Sequence, residues 1–218
     1  MRKGLADGSA AARARPAWRR ASPSYSEWES LSSEIRRCQL CPLGRTRTHA
    51  VVYRGGLSPR IVFVGEAPGR EEDLRGIPFV GRSGRRLDAA IACLGLGEKE
   101  FGVLNVLKCR PPHNRFNAAA ARTCRPYLDR QLDLLRPQVL VPLGRTALRA
   151  IAPNAPPVLK AAGRPLRSSD GRILFPLLHP AAALRSRRWA ERWDRDIAAL
   201  HDWLAAGSEK NHTVGRSR

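Results

Sequence analysis

The chain has 218 residues, enough for one domain of ordinary size with a well-formed core. Its 43% hydrophobic content excludes a wholly disordered protein, and no apolar run approaches the ~20 residues that a membrane helix requires. A formal net charge of +20 comes from 39 Lys and Arg against 19 Asp and Glu, and 34 of those cations are arginine, whose planar fork suits phosphate.

Residues 1–24, "MRKGLADGSAAARARPAWRRASPS", are small, polar and basic without apolar periodicity. They read as a disordered arm able to touch DNA nonspecifically. They also lack the apolar core of a secretory signal, so the expected location is the cytoplasm, at the nucleoid. Disulfides are disfavoured there, and the five cysteines need another use.

Cys38 and Cys41 form a C-x2-C pair in "RRCQLCPLGRTR". The first strand is expected over 60–67, "RIVFVGEA", a continuous apolar run of the kind found in strands covered on both faces. The loop that follows gathers Glu66, Glu71, Glu72 and Asp73 beside Gly65, Gly69 and Phe79. It lacks the Gly-Lys-Ser/Thr ending of a Walker loop and the G-x-G-x-x-G of a dinucleotide site. Four acids would also repel a phosphate at this range. An acid-lined wall with an aromatic ring suits a neutral, planar, hydrogen-bonding ligand such as a base.

A helix is expected over 83–95, with Cys93 as a small buried hydrophobe in its apolar "LDAAIACLGL". The strand at 102–108, "GVLNVLK", leads to Cys109, and Cys124 lies in the helix expected over 117–135. Four thiolates can hold zinc or an iron–sulfur cluster. The second pair is not a short knuckle, which favours iron–sulfur, although spacing alone leaves both open. A strand at 137–144, a helix at 144–151, a strand at 173–179 and a helix at 188–205 complete the pattern, with a flexible tail over 207–218. Strands alternating with helices predict an α/β domain over 25–206, three layers α/β/α around a central, mainly parallel four-stranded sheet. Ligands of such sheets bind at the carboxyl ends of strands. Gly65, Glu66, Asn105, Cys109, Gly144 and His179 fall at those ends.

Taken together, "GEAPGREEDLRGIPFVGRSGRRLD", "NVLKCRPPHNR", the four cysteines and "HPAAALR" at 179–185 resemble the family 4, iron–sulfur branch of the uracil-DNA glycosylases, over roughly residues 27–205. The resemblance implies that family's α/β/α fold and excision of uracil from single- or double-stranded DNA by a monomeric enzyme. It implies a 4Fe-4S cluster on Cys38, Cys41, Cys109 and Cys124, structural in role. Phe79 matches the aromatic on which uracil stacks, and Asn105 the residue that reads its edge. The Ala67 backbone would hydrogen-bond the base, and Glu72 would crowd the C5 position where thymine carries a methyl. His179 matches the donor that stabilises charge developing on uracil O2. Glu66 stands where better-understood relatives carry Asp, and would orient the attacking water or stabilise the cationic sugar. Leu184 matches a wedge into the helix, with Arg185, Arg187 and Arg188 as phosphate contacts. Lys108, beside Cys109, is read as another phosphate contact. A related branch traps DNA covalently through a histidine in a basic insertion; no such insertion follows Lys108, so trapping by His113 is not expected. The rival readings are that covalent binder and a non-catalytic iron–sulfur module that binds nucleic acid.

Overall fold

Five consecutive apolar residues, Ile61 to Gly65, have no polar face to present to water, and a sheet buried on both sides is what accommodates them. The computed structural model describes residues 24–213, and side chains as far as 207. The basic arm, apart from Ser24, lies outside the described residues.

The sheet contains β1 (Arg54–Gly55), β2 (Ile61–Gly65), β3 (Phe101–Asn105), β4 (Val139–Pro142), β5 (Leu166–Arg167) and β6 (Ile173–Leu174), in the order β1-β3-β2-β4-β6-β5. β2 pairs in parallel with both β3 and β4, and β4 with β6. The sheet thus has six strands where four were expected. β1 and β5 are antiparallel edges of two residues each, too short to carry any alternation in sequence. The last expected strand is also shorter: beyond Leu174 the regular strand gives way to an isolated bridge between Leu143 and Leu177, with the Phe175 and Leu177 N–H groups still donating to the Leu140 and Pro142 carbonyls at 2.8 and 3.0 Å.

Residues alternate across the sheet. On one face Ile61, Phe63, Val103 and Val141 pack with Leu87 and Ile91 of α4 (Arg82–Cys93) and with Trp193 and Leu200 of α9 (Arg187–Thr213). On the other, Val62, Val64, Leu104 and Leu140 meet Leu128, Leu132 and Leu135 of α5 (Ala118–Leu135), Ala147 of α6 (Gly144–Ile151) and Trp28 of α1 (Tyr25–Arg37). This is the three-layer α/β/α arrangement the pattern predicts.

α1 was not expected, although its start is marked: Ser24 caps the Glu27 N–H while the Glu27 carboxylate bonds back to the Ser24 N–H. The acid-rich loop also contains a short helix, α3 (Arg70–Arg75), closed by Gly76 in the left-handed region at φ 69°, and two four-residue helices, α2 (Leu43–Thr46) and α7 (Val158–Ala161), lie in other connections. α9 runs beyond its expected end at 205, so the expected start of the tail at 207 falls within it. Among the described residues no helix is long and apolar enough to cross a membrane.

Candidate active site

β2 and β3 end side by side, with Gly65 paired to Asn105. The Val106 N–H donates to the Gly65 carbonyl at 2.9 Å and the Leu107 N–H to that of Glu66 at 3.0 Å, so the two strand ends are laced together. A Cβ on Gly65 would stand 2.3 Å from Asn105 Oδ1 and 2.6 Å from the Phe79 ring. Only glycine permits this approach.

Asn105 is 1% exposed, and its Oδ1 is buried with no hydrogen-bond partner. Such an acceptor is costly unless something donates to it. It lies on the wall of a cleft of about 710 Å3, which Glu66, Ala67, Glu72, Phe79 and His179 also line. The residues expected to surround a base are thus brought together.

Phe79 has a left-handed backbone, φ 56°, rare for a bulky residue. Two contacts hold it there. The Glu72 carboxylate accepts from the Val80 and Gly81 N–H groups at 3.0 and 2.9 Å, and from Gly69 at 3.0 Å. A Cβ on Gly84 would fall 1.8 Å from the Phe79 carbonyl oxygen, so α4 presses directly on this peptide. The Phe79 ring belongs to the core and also faces the cleft, its centroid 5.9 Å from that of His179 with 30° between the planes. Glu72 lines the cleft, but both its oxygens are engaged in stapling the loop.

His179 is the N-cap of α8 (Pro180–Ala183), where its Nδ1 accepts from the Ala181 N–H at 3.2 Å. Burial holds its pKa below the ordinary imidazole value; the Glu66 charge works against this and Arg185 with it. A neutral ring whose Nδ1 accepts carries its proton on Nε2 and is a donor there.

Leu184 ends α8 and is 43% exposed. Arg185 lines the cleft. Arg187 is exposed at the start of α9 and paired with Glu191 at 2.9 Å, while the Arg188 guanidinium lies 5.8 Å from the Trp189 ring centre. His113 is exposed with a left-handed backbone, φ 53°. The sequence reading missed that Arg82, Ser83, Arg145 and Thr146 also reach the cleft. The signal was available: "GRSG" and "GRTA" each open a helix, α4 and α6.

Two expectations are corrected. Cys93 is exposed rather than buried, because it occupies the last turn of α4 on the solvent side. Lys108 is 1% exposed and cannot contact phosphate; its Nζ donates to the Asn105 carbonyl at 2.5 Å. Burial brings the Lys108 pKa down to about 8 against the opposing pull of Cys124 and Cys109.

Cys38, Cys41, Cys109 and Cys124 line one small cavity with Lys108 and Arg47. A Cβ on Gly44 would stand 2.8 Å from the Cys38 carbonyl oxygen, so that glycine lets the loop close over the cavity. Arg47 donates to Cys109 Sγ at 3.0 Å and to the Arg36 carbonyl at 2.6 Å, tying the end of α1 to the thiols. Burial raises the Cys109 and Cys124 thiols, opposed by Arg47 at the first and by the Lys108 charge and N–H at the second. Among the described residues no three His, Cys, Asp or Glu side chains are grouped as a single metal ion needs.

The model of the uracil DNA glycosylase superfamily matches residues 52–201. The chain belongs to that superfamily. It is 39% identical over 161 residues to the type-4 uracil-DNA glycosylase of Thermotoga maritima, covering 73% of this chain and 84% of that one. The type-4 uracil-DNA glycosylase of Sulfurisphaera tokodaii is 36% identical over 195 residues, 85% of this chain and 88% of its own. That of Archaeoglobus fulgidus is 46% identical over 124 residues, 56% and 62%. Within the superfamily domain, the cleft built by Asn105, Phe79 and His179 lies at the carboxyl ends of the parallel strands, as open α/β sheets dictate.

Proposed function

We propose that the protein is a monofunctional uracil-DNA glycosylase, hydrolysing the N-glycosidic bond of deoxyuridine in single- or double-stranded DNA to release uracil and leave an abasic site. The observation that carries this reading is the partnerless Asn105 Oδ1, buried in the cleft wall beside the Phe79 ring.

A base must leave the stack to reach a pocket of this kind. Leu184 fills the gap it leaves, and Arg185 and Arg187 hold the flanking phosphates. Uracil then stacks on Phe79 and takes a hydrogen bond from the Ala67 backbone. Its N3–H satisfies Asn105 Oδ1, and the Asn105 amide donates to O4. As the bond to the sugar lengthens, negative charge collects on uracil O2. The His179 Nε2–H stabilises it as an oxyanion hole does, worth roughly 2.7–4 kcal/mol for one such donor. Glu66 orients the attacking water and offsets the cationic character of the sugar. Among the described residues no lysine lines the cleft, so no amine is placed for a Schiff base and no strand cleavage should follow.

We also propose that Cys38, Cys41, Cys109 and Cys124 hold a 4Fe-4S cluster. Four thiols line one cavity, and the second pair, Cys109 and Cys124, lacks the short knuckle spacing usual for zinc, which favours a cluster. Arg47 and Lys108 supply the positive charge that four thiolates call for. When bound, the cluster ties the segment after α1 to the segment after β3. The protein would work as a monomer, in the cytoplasm at the nucleoid.

The test uses an end-labelled oligonucleotide bearing one uracil, run with and without hot alkali. A cut that appears only after alkali is the expected result. A strand shifted upward in a denaturing gel would identify a covalent binder instead. An unchanged strand, with DNA binding intact, would identify a non-catalytic module.

A further inference from the structure

Lys108 is a lysine in an unusual place. It is buried to 1% exposure, and among the described residues no carboxylate pairs with it. An ammonium taken out of water without a counter-charge is costly. The acidic groups in its surroundings are the Cys109 and Cys124 thiols, which line the same cavity. Its hydrogen bond goes the other way, to the Asn105 carbonyl at 2.5 Å. The next peptide N–H, that of Val106, is held by the Gly65 carbonyl at 2.9 Å. The peptide unit leaving Asn105 is therefore gripped at both its oxygen and its nitrogen. Lys108 is itself anchored, its carbonyl accepting from the Val51 N–H at 2.8 Å. It lines the cysteine cavity and reaches only the main chain of Asn105, a residue that lines the base cleft.

We propose that Lys108 is a positioning residue for base recognition: its Nζ, buried at the wall of the cysteine cavity, clamps the Asn105 main chain so that the side-chain amide is presented to the base. The cysteine site then does more than brace the fold. It shares a wall with the lysine that sits beneath the reading residue. This inference rests on the reading of Asn105 given above.

The experiment is a double-mutant cycle on the purified holoprotein with a uracil-bearing oligonucleotide, combining Lys108→Met with Asn105→Ala. Methionine keeps the length and removes both donor and charge. Lys108→Met should slow single-turnover excision at least tenfold and lower the binding preference for the uracil strand over a thymine control. The visible absorbance of the cluster should stay unchanged. In the Asn105→Ala background the same change should cost less than twofold more, because the group it positions is gone. Losses that multiply, a wild-type rate in the single variant, or loss of the cluster absorbance would each overturn the proposal. If Lys108→Met does not fold, Lys108→Gln is taken through the same cycle. Insolubility of both assigns Lys108 to the scaffold and overturns positioning. A wild-type protein that removes no uracil would defeat the functional reading itself, a failure separate from these.

Discussion

Gly65 and Asn105 face each other at the ends of two parallel strands, so close that a single methyl on Gly65 would stand 2.3 Å from the Asn105 side-chain oxygen. The same methyl would meet the Phe79 ring at 2.6 Å. Neither neighbour can yield freely: Phe79 is pressed by Gly84, and Asn105 is held through its peptide. Gly65→Ala should therefore cost about 1–3 kcal/mol of stability through overpacking. Excision should fall at least tenfold, because reading oxygen and stacking ring are displaced together. Thermal melting and single-turnover kinetics check both. A variant with normal rates would mean that this contact does not set the Asn105 geometry.

Asn105→Ala and His179→Ala should each reduce uracil excision at least tenfold without altering cluster absorbance, since neither side chain touches the cysteine cavity. The two losses differ in their response to pH. Burial keeps the folded His179 pKa below the ordinary value of about 6.5. The neutral ring is thus the working form at neutral pH, and the acid limb of the excision rate should lie below that value. The limb assigned to His179 should vanish in His179→Ala. The same shift bears on stability. Between the two pKa values the unfolded chain binds the extra proton, so the His179 contribution is fully present above the unfolded value and is lost as pH falls through the folded one. A rate profile whose acid limb is identical in wild type and His179→Ala would remove the imidazole from the chemistry.

Much of this arrangement was legible in the chain itself. Four apolar runs ending in Gly65, Asn105, Gly144 and His179 place one crevice, because parallel strands share their carboxyl end. The edge strands Arg54–Gly55 and Leu166–Arg167 were not legible, since two residues have no period. α1 was legible and overlooked: Ser24 and Glu27 have the capping-box spacing, but in the sequence the segment directly follows a basic run, and its apolar stripe of Trp28, Leu31 and Ile35 is short. Lys108 misled because a lysine near a DNA-facing segment ordinarily reaches solvent; only tertiary packing shows it turned inward. The same holds for Cys93, whose apolar neighbours in sequence do not decide which side of α4 it occupies.

Glu72 offers a prediction that separates two roles. Its carboxylate accepts from Gly69, Val80 and Gly81, and those bonds hold the loop that presents Phe79. Hydrogen bonds to a charged group contribute about 1.5–3 kcal/mol each in net terms, and a partly exposed carboxylate stands at the low end. Glu72→Gln places an amide against backbone donors and should lower the melting temperature and raise KM for the uracil strand. A residue whose main work was to exclude the thymine methyl would instead leave stability intact and admit thymine. Excision assayed on paired uracil and thymine substrates decides, and no thymine release is expected.

The cysteines sort by position. Cys38→Ala, Cys41→Ala, Cys109→Ala and Cys124→Ala should each abolish the visible absorbance and lower iron content, because each lines the one cavity. Cys93→Ser should change neither absorbance nor excision, since Cys93 is exposed on α4 and no part of that cavity. Arg47 supplies an intermediate case. It donates to Cys109 Sγ and to the Arg36 carbonyl, so it bridges the thiol set and the end of α1. Arg47→Met should retain the cluster as purified but lose it faster to chelator or air, as the thiolate loses a donor and the loop its tie. Iron release followed by absorbance over time measures this directly. A release rate equal to that of wild type would show that the Arg47 bridge contributes nothing to holding the site.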